Sequence, residues 1–388
     1  MSERKVVDIP ELVAVLRDQQ ARTEDLIAGR SEIGADCGHE LMLHVGPRVY
    51  GIQEQVHTQL AAKTGIPKSY YDRMLEQARP LLTDNINHWL QHKDAEKRYL
   101  VRTIDNEVRA LLSNRYRPIS HLDLLTIGVQ VITGQDGDAG TEKPWARGAR
   151  CLNWQLSPTN LDVRLFNPNI HVDLNNIDRG VTTDETTQEE TVDRIFRRGL
   201  ANDRTDWGNA VVYPSALIRN SETGHGMIHI EPGLMEGLCT NFNWYGKSLQ
   251  QRHLGRSLDM EDDLSSETYR KMNAVIFSKA ADILRGVFDP QRFLETCKRF
   301  KGLQDVEINL KEAVDNIVGL PGMTEDLRDD ILSKYGAYKA NGGRKHDNLF
   351  DLNRAVTEVA QSVTDQDRAL ALEQLGGEFI ERGVQVID

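Results

Sequence analysis

The thirteen residues Val108 to Ser120 constrain the fold more than any other stretch of this chain. Val108 to Leu112 is a mostly apolar run of buried-strand length. Pro118 then closes a turn, and Ser120 stands at the N-cap position of a helix predicted over 121–132. A strand that turns straight into a helix fixes a layered architecture locally. It also gathers Arg109, Arg115, Tyr116 and Arg117 on or beside one strand end. Guanidinium groups make bidentate contacts to phosphate, and a tyrosine ring stacks on a base. Four such side chains together suit an anionic or base-bearing ligand.

The surrounding pattern predicts three regions. Residues 1–97 read as an N-terminal helical and hairpin region: an amphipathic helix over 8–27, a short hairpin over 41–52 with a Gly46-Pro47 turn, then helices near 54–64, 67–77 and 79–91. Residues 98–260 read as a sheet-rich core, opening with a hairpin over 99–112 turned at Asp105-Asn106. Further strands fall at 149–156, 161–167, 210–219 and 226–230. Residues 261–388 read as an acidic helical region with segments at 264–287, 290–300, 305–318, 324–335, 348–363 and 365–382. Strand clusters followed by helix clusters predict an α+β fold, with a central, mostly antiparallel sheet rather than a doubly wound parallel one.

Charge and composition narrow the partners. The net charge of the 388-residue chain is −12, and residues 257–388, with 17 basic and 25 acidic side chains, hold −8 of it. Such a chain is a poor non-specific DNA binder, because affinity for nucleic acid comes largely from phosphate neutralisation. A local basic surface in the middle third remains open. No apolar run spans a membrane and no signal-peptide core follows Met1, so a cytoplasmic, non-membrane protein is expected, in a host cytoplasm if phage-encoded. Cys37, Cys151, Cys239 and Cys297 are far apart with no Cys-x-x-Cys pair, which predicts reduced thiols rather than a zinc or redox site.

Other candidate sites follow. Trp244 and Tyr245 interleave with Lys247, Arg252, His253 and Arg256, the mixture of rings and cations that suits a single strand. Arg194, Arg197 and Arg198 form a shorter basic run, read as a solvated surface or a loop arm. Gly246-Lys247-Ser248 ends like a phosphate-binding loop, but Asn241 stands where its first glycine belongs and bulky residues fill the interval, so nucleotide hydrolysis there is rejected. Glu222, His225 and His229 offer a weak metal or acid–base alternative, since positions i and i+4 share a face of a strand or helix. Cys239, Asn241 and His253 are a thiol-enzyme possibility with no supporting flanks. No cofactor fingerprint occurs.

Four segments in order, residues 108–125, Asn220-Ser221-Glu222-Thr223-Gly224-His225-Gly226, residues 238–241 with 251–255, and residues 348–358, resemble the phage and plasmid-like family known as domain of unknown function 932. The resemblance covers about residues 50–380. It departs where Phe242 follows Asn241, a position at which the family commonly has glycine. It implies a mobile-element protein and no defined activity. Together with the basic and aromatic segments, it leads to the expectation of a non-enzymatic, oligomeric protein that binds single-stranded DNA or RNA in recombination, annealing or replication. The alternatives are a metal-dependent nuclease or hydrolase, and a phage interaction protein such as an assembly factor or an inhibitor of a host system.

Overall fold

The structure, a computed structural model, describes residues 9–92, 97–114, 116, 119–133, 150–183, 211–237, 241–245, 249–251, 266–342 and 345–386. It is an α+β protein built on two sheets.

The first sheet holds β1 (Thr23–Gly29), β2 (Ile33–Cys37), β3 (Leu41–Val45), β4 (Arg48–Ile52), β5 (Arg98–Ile104) and β6 (Glu107–Ser113), in the order β1-β5-β6-β4-β3-β2. Only Arg30–Glu32 separate β1 from β2, although these strands end the order on opposite sides. Four Cα steps reach at most about 15 Å. A flat sheet would set the two strands five spacings apart, roughly 24 Å. The sheet is therefore curled, and α2 (Glu54–Thr64), α3 (Lys68–Gln77) and α4 (Arg79–His92) pack into it. Val56, Leu60, Tyr71, Leu82 and Ile86 share one core with Leu43, Tyr99, Val101 and Leu111.

Two expectations change here. The helix predicted over 8–27 ends at Arg22 as α1 (Ile9–Arg22), and β1 starts at Thr23, whose hydroxyl caps the Gln19 carbonyl at 2.8 Å. The register of β1 against β5 over all seven residues outweighs the helical pattern. The boundary at 97/98 also falls within a unit. β5 and β6 complete the first sheet through β1 and β4, pairings that join segments far apart in sequence.

The second sheet is antiparallel throughout. Its centre is β11 (Val211–Asn220), paired with β12 (Ile228–Glu236) on one side and with β8 (Leu161–Phe166), then β9 (Ile170–Asp173), on the other. Outside these lie β7 (Arg150–Leu156), β10 (Thr182–Thr183), β13 (Phe242–Trp244) and β14 (Leu249–Gln251). Helices cover both faces, so β11 is almost wholly buried and lacks the usual in–out alternation. On one side Ile218 meets α5 (His121–Thr133) and α6 (Ser266–Val287) near Gly128 and Leu284. On the other, Phe166, Leu217, Phe242 and Trp244 meet Leu370 of a C-terminal helix.

That C-terminal region contains α7 (Pro290–Gly302), α8 (Leu310–Val318), α9 (Asp326–Gly342), α10 (Leu349–Val359) and α11 (Gln366–Arg382). Its apolar residues, among them Phe300, Phe350 and Phe379, join Val163, Ile218 and Ile230 in one continuous core. It is thus a layer on the second sheet rather than a separate body, because its amphipathic helices have the sheet as their apolar partner. No helix of the described residues is long and apolar enough to cross a membrane.

Candidate functional site

Described residues of the four segments singled out in the sequence meet in two places. Residues 108–125 meet the loop Asn220–Gly226, and Asn241 meets residues 348–358.

The first meeting is where the two sheets join. Asn220 and the following residues turn tightly between β11 and β12. Gly224 has φ +77°, and a Cβ there would stand 2.6 Å from the Leu112 side chain, so this turn requires glycine. The loop is bolted to the first sheet. Gln59 donates to the Thr223 carbonyl at 2.8 Å, Arg102 to the Glu222 carbonyl at 3.2 Å, and the Tyr116 hydroxyl to the Ser221 carbonyl at 3.2 Å. The Glu222 carboxylate accepts from Arg109 at 3.0 Å and from the backbone N–H of His121, at the start of α5, at 2.7 Å. Ser120 caps that helix as expected, its hydroxyl accepting from Leu122 and Asp123. Arg102 is held in turn by Asp25 at 2.7 and 3.1 Å.

Electrostatics follow from this packing. Burial opposes ionisation of Glu222, but His121, Arg102 and Arg109 outweigh it, so its carboxyl lies below the ordinary value. Burial draws the Arg109 guanidinium down from its usual value against the pull of Glu222. A cavity of about 30 Å³ beside Glu222 has room for roughly one or two waters.

This geometry corrects part of the expected nucleic-acid surface. Arg109 is only 2% exposed; it faces Glu222 and, with the Gln19 amide oriented to accept it, Gln19 as well. Its place mid-strand on a buried face turns it inwards. Trp244 is also buried: its ring stacks on Phe242 at 4.7 Å, and its indole N–H donates to Glu373 at 2.7 Å. Neither side chain is open to a strand. Tyr116 and Tyr245 are half-buried. Arg115, Arg117, Lys247, Arg252, His253 and Arg256 lie outside the described residues, as do Arg194, Arg197 and Arg198.

The metal alternative is also corrected. His225 lies in the loop before β12, so the strand rule that places i and i+4 together does not reach it. Its Nδ1 is 3.1 Å from the Thr223 hydroxyl, while His229 faces Glu231 at 2.9 Å and Glu222 is engaged by Arg109. Among the described residues no group of three His, Cys, Asp or Glu is disposed to hold a metal.

At the second meeting, the Asn241 side chain donates to the Arg354 carbonyl at 3.4 Å and accepts from Gln361. Arg354 pairs with Glu236 at 2.7 Å and lies over the Tyr338 ring at 4.5 Å. Burial holds the Glu236 carboxyl above its ordinary value despite Arg354. Asn348 caps α10 at the Asp351 N–H, 2.9 Å. Asn241 is thus part of a buried tie rather than an orienter of an imidazole; Cys239 and His253 lie outside the described residues.

Sequence reasoning passed over Glu236, Arg354, Arg164 and Glu373, whose partners are far apart in the chain. Arg164 and Glu373 pair at 3.0 Å with both side chains nearly inaccessible. One signal was readable: Gly376-Gly377 within a helical pattern. A Cβ at 377 would stand 1.7 Å from the Trp244 carbonyl oxygen, so the glycines let α11 press against the edge strand β13.

Compared with known proteins, the chain matches no family model, no curated protein sequence and no solved structure. Its fold and its ties define a two-sheet α+β protein whose sheets are joined by a buried arginine–carboxylate bolt.

Proposed function

We propose that this chain binds single-stranded nucleic acid without chemically transforming it, on a surface around the loop Asn220–Gly226. One observation carries the reading: a described residue adjoining each basic run sits beside this same loop. Tyr116, between Arg115 and Arg117, reaches the Ser221 carbonyl. Gln251, the residue before Arg252, pairs in register with Ile228 just beyond Gly226. The described neighbours of two basic segments distant in sequence therefore lie beside one loop, and cations with rings gathered along a backbone path are what a flexible polyanion requires. The surface is smaller than the sequence suggested, because Arg109 and Trp244 do not belong to it. A role in recombination, annealing or replication of a mobile element, with self-association along the strand, is the biological form this proposal takes.

Anisotropy of a labelled oligonucleotide tests it. Binding at low salt should weaken steeply as salt rises. Replacing Arg115, Arg117, Lys247, Arg252 and Arg256 together with alanine should remove it. No binding to DNA or RNA oligonucleotides at low salt overturns the reading.

A further inference from the structure

A second, separate feature lies on the first sheet. β4 pairs with β6 at Gly51 and Ile52, and because β6 begins at Glu107, residues 48–50 of β4 run past the β5–β6 turn at Asp105-Asn106. Beside that turn lies an open cleft of about 490 Å³, within the size range of small-molecule sites. Its wall is polar and charge-balanced. Arg48 faces Glu24 across the cleft at 3.0 Å, and Arg22 pairs with Asp105. Val49, 47% exposed, adds an apolar patch to the lining.

The two ion pairs differ. Arg22 is braced by two carboxylates, Asp105 and Asp18. Arg48 pairs with Glu24 and has the Tyr50 hydroxyl at 3.5 Å. Both Arg48 and Glu24 are more than half exposed, and an exposed pair of this kind contributes little to stability. It can be opened by a ligand that offers each partner a replacement. A polyanion cannot do so, since it would satisfy Arg48 and be repelled by Glu24 and Asp105.

From this we infer that the cleft binds a small zwitterion of dipeptide size. Its carboxylate takes the Arg48 guanidinium, its ammonium group takes the released Glu24 carboxylate, and a side chain rests on Val49. No bond is made or broken. The inference is independent of nucleic-acid binding, which uses a different surface.

The test is a calorimetric titration at low ionic strength with dialanine, N-acetyl-dialanine and dialanine amide. Wild-type protein should bind free dialanine saturably in the millimolar range. Each cap should weaken binding roughly threefold to fivefold, the size of one exposed ion pair. Arg48→Ala should become indifferent to amidation while remaining sensitive to acetylation. Glu24→Gln should show the reverse. Both positions are exposed, and circular dichroism checks that the variants are folded. No saturable binding to wild type, equal binding of all three compounds, or variants that keep the wild-type preferences would overturn the assignment.

Discussion

Arg109, on the second strand of a hairpin in one sheet, donates to Glu222, on a loop of the other sheet, at 3.0 Å with almost no access to solvent. The residues are 113 positions apart. Their contact makes the junction between sheets depend on a buried charge pair. The pair stabilises only while both partners are present, because either one alone would be a buried, unpaired charge.

Glu222→Gln should therefore destabilise the protein by about 3–5 kcal/mol, read as a lower urea midpoint. The pH dependence has a defined sign. A carboxyl whose folded value is depressed contributes stability above its unfolded value, near 4.5, and that contribution is lost as pH falls through the folded value. Wild-type stability should drop below about pH 4.5 more steeply than that of the Gln variant. Parallel profiles would show that the bolt contributes nothing through ionisation.

Trp244→Phe removes the indole N–H that the Glu373 carboxylate accepts beside its pairing with Arg164. The expected cost is about 1–3 kcal/mol in chemical denaturation. Oligonucleotide affinity should not change, because the ring is buried. A loss of affinity in a fully folded Trp244→Phe protein would return this residue to the binding surface.

Gly377→Ala should be far more damaging than its chemistry suggests. The new methyl would meet the Trp244 carbonyl and the Tyr245 amide, backbone atoms that cannot rotate away. A loss of about 3 kcal/mol or more is expected. Gly336→Ala, inside α9 with nothing within 4 Å of the new Cβ, should instead gain about 1 kcal/mol from helix propensity. Thermal melts of the two variants should move in opposite directions.

Asn106 follows Asp105 in the β5–β6 turn, and both have positive φ, 51° at Asp105 and 74° at Asn106. Such turns favour glycine at the second position. Asn106→Gly should raise stability by up to about 1 kcal/mol, observed as a higher melting temperature. An unchanged or lower value would show that the Asn106 side chain stabilises the hairpin by more than its strain costs.

Much of the local architecture was legible. The hairpins read at 41–52 and 99–112 carry turn residues at fixed offsets, and Ser120 caps its helix where the pattern placed it. The short strands β2, β9, β13 and β14 were not legible. Each has three to five residues, too few for a period to register, and each exists because a neighbour supplies its hydrogen bonds.

The sites divide along the same line. Sequence alone determined that basic and aromatic side chains cluster near residues 109–117 and 244–256, that the loop at 220–226 turns tightly, and that helices dominate the last third. Tertiary structure decided which of those side chains face water. Arg109 and Trp244 read as ligand-binding residues until distant carboxylates, Glu222 and Glu373, are brought against them. Sequence spacing encodes which face of an element a residue occupies; what covers that face comes from segments a hundred or more positions away, and burial is a property of that meeting.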